Sequence, residues 1–247
     1  MSRPAAIDAA RSLVTDRFPD ARQAWLSGSV VLGGETTTSD LDITVLLHDT
    51  EVHRESLTHL GWPVELFVHT EASIRFFVAK DIARRRPTMA RLVATGVPLV
   101  DGDDCVVLRA ECEAAVAAGP GVPSDEDLAL ARYVLTDQLD DLVTATGTSL
   151  DAVAVDAWRG TAELLLAAAG RWSGTGKWLV RELEALDADQ GSSYAARLGD
   201  GLRAALTGDP IVLTEIADEA LGPVGGRLRD GYRAAAALPP HEPTPGG

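Results

Sequence analysis

The stretch Gly28–Leu47, GSVVLGGETTTSDLDITVLL, decides how the rest of the chain is read. Its second part, LDITVLL (41–47), is apolar and β-branched and predicts a strand. Asp40 and Asp42 stand one residue apart at its start. Residues i and i+2 of a strand point to one side, so the two carboxylates are presented together while Leu41 and Ile43 face the other way. Like charges that close resist joint ionisation. A divalent cation removes the conflict, and Mg²⁺ takes hard oxygen ligands that it shares with substrate phosphates. A D-x-D pair is common in surface turns, and Ser39-Asp40 also fits ordinary turn chemistry. The upstream Gly28-Ser29 narrows the choice. It follows a predicted strand and opens a helix-like turn, where a glycine lets backbone approach a ligand and N–H groups with a serine hydroxyl form an anion site. Phosphate donors on one side and metal carboxylates on the other predict a site for a nucleoside triphosphate.

Outward from this stretch, RQAWLSG (22–28) reads as a short strand and WPVELFVH (62–69) as a third, with VPLVD (97–101) as a fourth at an edge. Glu65 sits inside the apolar third strand and shares a face with Phe67. A buried carboxylate there needs a partner. Metal binding or proton abstraction supplies one, and an outward-facing Glu on a half-exposed strand is the alternative. The N-terminal segment predicts an amphipathic helix with Ile7, Ala10, Leu13 and Val14 on one face. Residues 71–94 read as helical, kinked or split at Pro87.

From Ser124 to Leu238 no strand is legible. SDED (124–127) places Ser at an N-cap and Asp at N3. Ser149 precedes a long helix ending near Gly170, and Asp209-Pro210 reads as an N-cap followed by Pro at N1. Gly147, Gly170 and Gly208 are expected helix stops. GPGVP (119–123) marks a junction, and PPHEPTPGG (239–247) reads as a disordered tail. The expected fold class is α+β: a small mixed-sheet domain over residues 1–118, then an all-helical bundle over 124–238.

The pattern G-S, ten residues, then D-L-D resembles the signature of the DNA polymerase beta-like nucleotidyltransferase superfamily. The layout resembles its bacterial aminoglycoside-type branch, a catalytic domain followed by a helical one. The resemblance implies that Gly28 and Ser29, with Ser39 beside them, hold the triphosphate. It implies that Asp40 and Asp42 bind Mg²⁺, two ions in all, with Glu65 as third carboxylate, acting as ligand, base or both. Related enzymes use a second-domain lysine on terminal phosphates, and Lys177 of RWSGTGKWLV (171–180) is the matching candidate. A solvated lysine at a helix start is the competing reading. GTGK lacks the full P-loop pattern.

The resemblance therefore implies a Mg²⁺-dependent enzyme. It would transfer a nucleoside monophosphate from an NTP, ATP foremost, to a hydroxyl of a small-molecule acceptor, with an aminoglycoside as the leading acceptor class and antibiotic resistance as the function that class would imply. The alternatives are a protein-AMPylating minimal nucleotidyltransferase of a toxin–antitoxin type, or a nucleotide-binding regulatory module without catalysis.

The net charge of −15 repels phosphate backbones and argues against a nucleic-acid partner. It suits a cationic substrate, or simply a solubilising surface. No apolar run spans a membrane and no signal peptide is legible, so the expected location is the cytoplasm, as monomer or homodimer. Cys105 and Cys112 read as small buried residues. Arg84–Arg86 reads as a solvated face, Arg54 as touching either phosphate or, by preference, nothing, and Asp101–Asp104 as a solvated turn. Asp137, Asp140 and Asp141 are read as a solvated helix face or as the lining of an acceptor pocket. His48 and His69 end strands and are not expected to bind metal.

Overall fold

A five-stranded mixed sheet organises the first half of the chain in the computed structural model, which describes residues 3–33, 36, 38–100 and 105–235. The strands are β1 (Gln23–Ser27), β2 (Leu41–Leu46), β3 (His53–His59), β4 (Trp62–His69) and β5 (Val97–Pro98), in the order β3-β4-β2-β1-β5. β2 and β4 run parallel, and the other neighbours pair antiparallel.

Strand alternation divides the sheet chemically. Leu41, Ile43 and Val45 of β2, with Val64, Leu66 and Val68 of β4, share one apolar core with Leu26. Ala9, Ala10, Leu13 and Val14 of α1 (Ala6–Arg17) belong to that core, at the spacing of one helical face. On the opposite side, Trp25 and Leu46 pack into a second core. It takes residues from α2 (Glu71–Ala83), α3 (Thr88–Ala94) and α4 (Val106–Ala118). The polar residues Asp42, Thr44 and Glu65 alternate with the first core's residues and so belong to this second side.

β3 is an edge strand where the sequence reading placed none. It is joined to β4 by Leu60-Gly61, both at positive φ (49° and 84°), the backbone that a two-residue hairpin turn requires. The helix expected over 71–94 is split ahead of Pro87 into α2 and α3. Asp81, only 2% exposed, ties the two together: it accepts the Met89 N–H at 2.7 Å and pairs with Arg84. Arg85, at φ 59°, donates to the Gly121 carbonyl at 3.0 Å. The run Arg84–Arg86 is therefore not a plain solvated face, because two of its members are committed to chain contacts.

The chain divides into two compact units, Met1–Gly121 and Val122–Gly247. Among the described residues, the second holds helices and no strand: α5 (Asp125–Thr144), α6 (Gly147–Ala168), α7 (Lys177–Gln190), α8 (Tyr194–Ala205) and α9 (Ile211–Leu221). Its core is leucine-rich, including Leu139, Leu164, Leu183, Leu198 and Leu213. Ser124 and Asp127 form the expected capping box on α5. Gly170 and Gly208 adopt positive φ past the ends of α6 and α8. The following N–H groups reach back to Leu166 and Ala204 at 2.8 and 3.0 Å, satisfying otherwise open carbonyls. Gly147 does the opposite of what was expected: it opens α6, with Thr146 at the N-cap, and Ser149 lies inside the helix. Pro210 occupies the N-cap of α9, one position later than expected, while Asp209 Oδ1 accepts the Ile211 N–H at 3.2 Å. The expectations for Asp101–Asp104 and for the tail 239–247 fall outside the described residues.

Candidate active site

Strand register assembles the carboxylates. Antiparallel pairing places Asp42 opposite Ser27, and parallel pairing places it beside Glu65. Asp40 lies two residues before Asp42. One carboxylate oxygen from each of Asp40, Asp42 and Glu65 lies within 4.8 Å of the others, and all three residues are half-buried. Among the described residues no other three potential metal ligands gather this closely. Three carboxylate oxygens at that separation could hold a metal ion through hard oxygen ligands.

The loop after β1 is shaped around the same cluster. Gly28 has φ 80°, and a Cβ at this position would lie 2.1 Å from Asp42 Oδ2. With Asp42 where it stands, only glycine fits between that backbone and the carboxylate. The Gly28 carbonyl accepts N–H groups from Val31 and Leu32, both at 3.2 Å, so a single turn of chain follows. Ser29 and Ser39 are both buried, their hydroxyl oxygens 3.0 Å apart. Ser39 Oγ also accepts the Thr36 N–H at 2.9 Å. Ser29 of the G-S pair and Ser39, just ahead of D-L-D, thus lie side by side.

Thr44 is the next residue after Asp42 on that side of β2. It is fully buried, and its hydroxyl has no hydrogen-bond partner among the described residues. Leu46, two residues on, enters the apolar core under α2 and α3. Thr44 therefore stands between the carboxylates and the hydrophobic packing.

Arg54 corrects the sequence reading, which placed it against phosphate or, by preference, nothing: it has a partner in Glu65. Its Nη2 donates to Glu65 Oε2 at 2.5 Å, and its guanidinium carbon lies 5.3 Å from the Phe67 ring centre. In the β3–β4 pairing Arg54 faces Phe67 and Ser56 faces Glu65, so the ion pair is a diagonal cross-strand contact. The missed strand and the missed contact are one omission.

The other singled-out residues divide clearly. Lys177 belongs to the second unit, where it is exposed at the first position of α7, behind Gly176 at φ 53°. Asp137 and Asp140 are ion-paired: Arg229 contacts both, at 3.2 Å from Asp137, and Arg227 lies 3.5 Å from Asp140. Both carboxylates are thus paired with arginines inside the second unit. Asp141 is exposed. His48 is exposed too. His69 is buried, with Nδ1 2.9 Å from Ser73 Oγ and its ring edge-on to Phe77. Burial pushes the His69 pKa down, and nearby His53 adds to this. Both cysteines are free and buried, and burial pushes the Cys112 thiol up to about 11.

Comparison with known proteins adds little to this geometry. A scan against family profiles finds no match, and neither does a search of curated proteins. Among solved structures, the chain is similar to a nucleotidyltransferase-like protein from Exiguobacterium sibiricum 255-15. The identity is 14%, the match covers 89% of this chain and 77% of the other, and the TM-score is 0.38. A likeness that weak leaves the chemistry to be judged on the residues themselves.

Proposed function

We propose that the chain is a Mg²⁺-dependent nucleotidyltransferase that moves a nucleoside monophosphate from an NTP to a hydroxyl of a small acceptor. The observation that carries this reading is the convergence of Asp40, Asp42 and Glu65 beside a glycine whose backbone leaves no room for a Cβ unless Asp42 moves. Asp40 and Asp42 would hold the cation, with Glu65 as third ligand. When bound, Mg²⁺ supplies charge stabilisation to the oxygens of an in-line displacement at the alpha-phosphorus.

The chain's own groups do the rest. The turn after β1 carries Ser29, whose hydroxyl would serve phosphate oxygens together with the N–H groups at the start of the turn. Ser39 holds the Ser29 hydroxyl in place from behind. Glu65 Oε2 is taken by Arg54, which leaves Oε1 to accept the acceptor's hydroxyl proton or to complete the ligand set. The acceptor's oxygen bonds to the alpha-phosphorus, the bond to the bridging oxygen breaks, and pyrophosphate carries that electron pair away.

ATP is the foremost donor and an aminoglycoside the foremost acceptor class. The acidic chain favours a polycationic acceptor, since a net charge of −15 draws such molecules in at low ionic strength. Lys177 is proposed as a contact to terminal phosphates, on the family resemblance alone. No described helix is long and apolar enough to cross a membrane. The test is pyrophosphate release from each of the four NTPs over a panel of aminoglycosides and other polyols. Release that requires Mg²⁺ and an acceptor, and that Asp40→Asn abolishes, supports the reading. Acceptor-independent release that survives in Asp40→Asn refutes it.

A further inference from the structure

The ion pair between Arg54 and Glu65 places a permanent positive charge on a cluster that otherwise consists of carboxylates. We propose that Arg54 is a positioning residue that holds Glu65 in the cluster and, by its charge, keeps the site's affinity for a free divalent cation low. This rests on the metal-site reading above and goes further, because it assigns a regulatory role to a residue on the edge strand.

Electrostatics sets the direction. Each carboxylate of the cluster adds to the attraction for a cation, and the Arg54 guanidinium subtracts from it. A cation that arrives with a triphosphate brings negative charge with it and is opposed less than a free one. Without Arg54 the same three carboxylates would attract free cations more strongly and would repel one another more when empty.

Geometry shows that Arg54 is built in. Its guanidinium has two separate contacts, an oxygen of Glu65 at 2.5 Å and the Phe67 ring at 5.3 Å. Both partners lie on β4, and both are set by the β3–β4 register rather than by a flexible loop. The planar fork suits a carboxylate on one side and an aromatic face on the other. The side chain is 60% exposed, so solvent screens its field and the expected effect is moderate.

The probe is Mn²⁺ alone, titrated without nucleotide and followed by electron paramagnetic resonance at low ionic strength. The variants are Arg54→Met, which keeps the stem and removes the charge, and Arg54→Lys, which keeps the charge. Asp42→Asn identifies the site. The expected result is Mn²⁺ binding by wild type that is lost in D42N, about three- to tenfold tighter in R54M, and close to wild type in R54K. The gain in R54M should shrink as salt is raised. Unchanged or weaker Mn²⁺ binding in R54M, with wild-type binding still lost in D42N, overturns the claim that the Arg54 charge keeps cation affinity low and leaves the metal site standing; a weakening of that kind would show the hold on Glu65 acting alone. Absence of D42N-sensitive Mn²⁺ binding in wild type overturns both.

Discussion

Replacing Gly28 with alanine tests the site's construction at its tightest point. The new methyl would meet Asp42 Oδ2 at 2.1 Å, so the carboxylate must withdraw by about 1 Å to restore a normal contact. The residue also keeps φ 80°, which costs an L-residue about 1 kcal/mol. Forcing Asp42 off its rotamer and shifting the β1 turn adds about 1–2 kcal/mol. The total is ~2–3 kcal/mol for Gly28→Ala. Gly33 is the internal control: its φ is 73°, and nothing lies within 4 Å of where its Cβ would be. Gly33→Ala should cost only the backbone strain, ~1 kcal/mol. Hydrogen exchange of the β1 and β2 amides in urea reads the stability of the first unit separately from the helical one. Mn²⁺ titration reads the site, where a 1 Å displacement of one ligand should weaken binding tenfold or more, by roughly the margin that displaced metal-site groups show. The double variant Gly28→Ala/Asp42→Ala removes the clashing oxygen, so its cost beyond Asp42→Ala alone should fall to the Gly33 level. Equal costs at the two glycines, with Mn²⁺ binding intact in Gly28→Ala, would refute the claim that Asp42 is packed against this backbone.

Three further outcomes are expected. His69 has its folded pKa held below 6.5 by burial, so the unfolded chain takes up its proton first. Its contribution to stability is complete above pH 6.5 and is lost as pH falls from there through the lowered folded value. Urea midpoints across that range should show this slope, and His69→Gln should flatten it. Both cysteines are buried, and the Cys112 thiol is pushed up to about 11. A thiol reagent at pH 8 should therefore label neither in the native protein and both in urea; rapid native labelling would contradict their burial. Asp81→Ala should destabilise the first unit by about 2–4 kcal/mol in denaturant melts, because it strands the buried Met89 N–H and frees Arg84. A loss within 0.5 kcal/mol would show that the α2–α3 junction does not depend on this carboxylate.

What the sequence made legible follows from where its patterns are strong. WPVELFVH is an apolar strand interrupted by one charge, and β4 covers those same residues, Trp62–His69. Asp42 and Glu65 end up as neighbours because both strands carry clear apolar alternation, which leaves a polar residue only one side to occupy. β3 escaped because its residues, HRESLTH, are mostly exposed and carry no apolar period. Its turn is Leu60-Gly61 rather than the Asn-Gly or Asp-Gly that signals a hairpin, so Leu60 holds φ 49° without advertising it. Arg54 went with it, since a diagonal cross-strand contact is visible only once both strands and their register are known. The signal that would have found it is a cation on a polar segment just ahead of a strand with a lone carboxylate. Gly147 misled for a different reason: a glycine after a helix suits a stop, but with Thr146 before it the same residue starts the next helix. The pairing of Asp137 and Asp140 with Arg227 and Arg229 spans some ninety residues of chain and leaves no local trace.

The central claim is that the three carboxylates and the Gly28 turn bind a metal–triphosphate complex. The most direct measurement is calorimetric titration of wild type and Asp42→Asn with non-hydrolysable ATP, GTP, CTP and UTP analogues, each with and without Mg²⁺. The account predicts triphosphate binding that depends on Mg²⁺ in wild type and is weakened in Asp42→Asn. Absence of binding for all four, or binding indifferent to both the metal and the substitution, would contradict it.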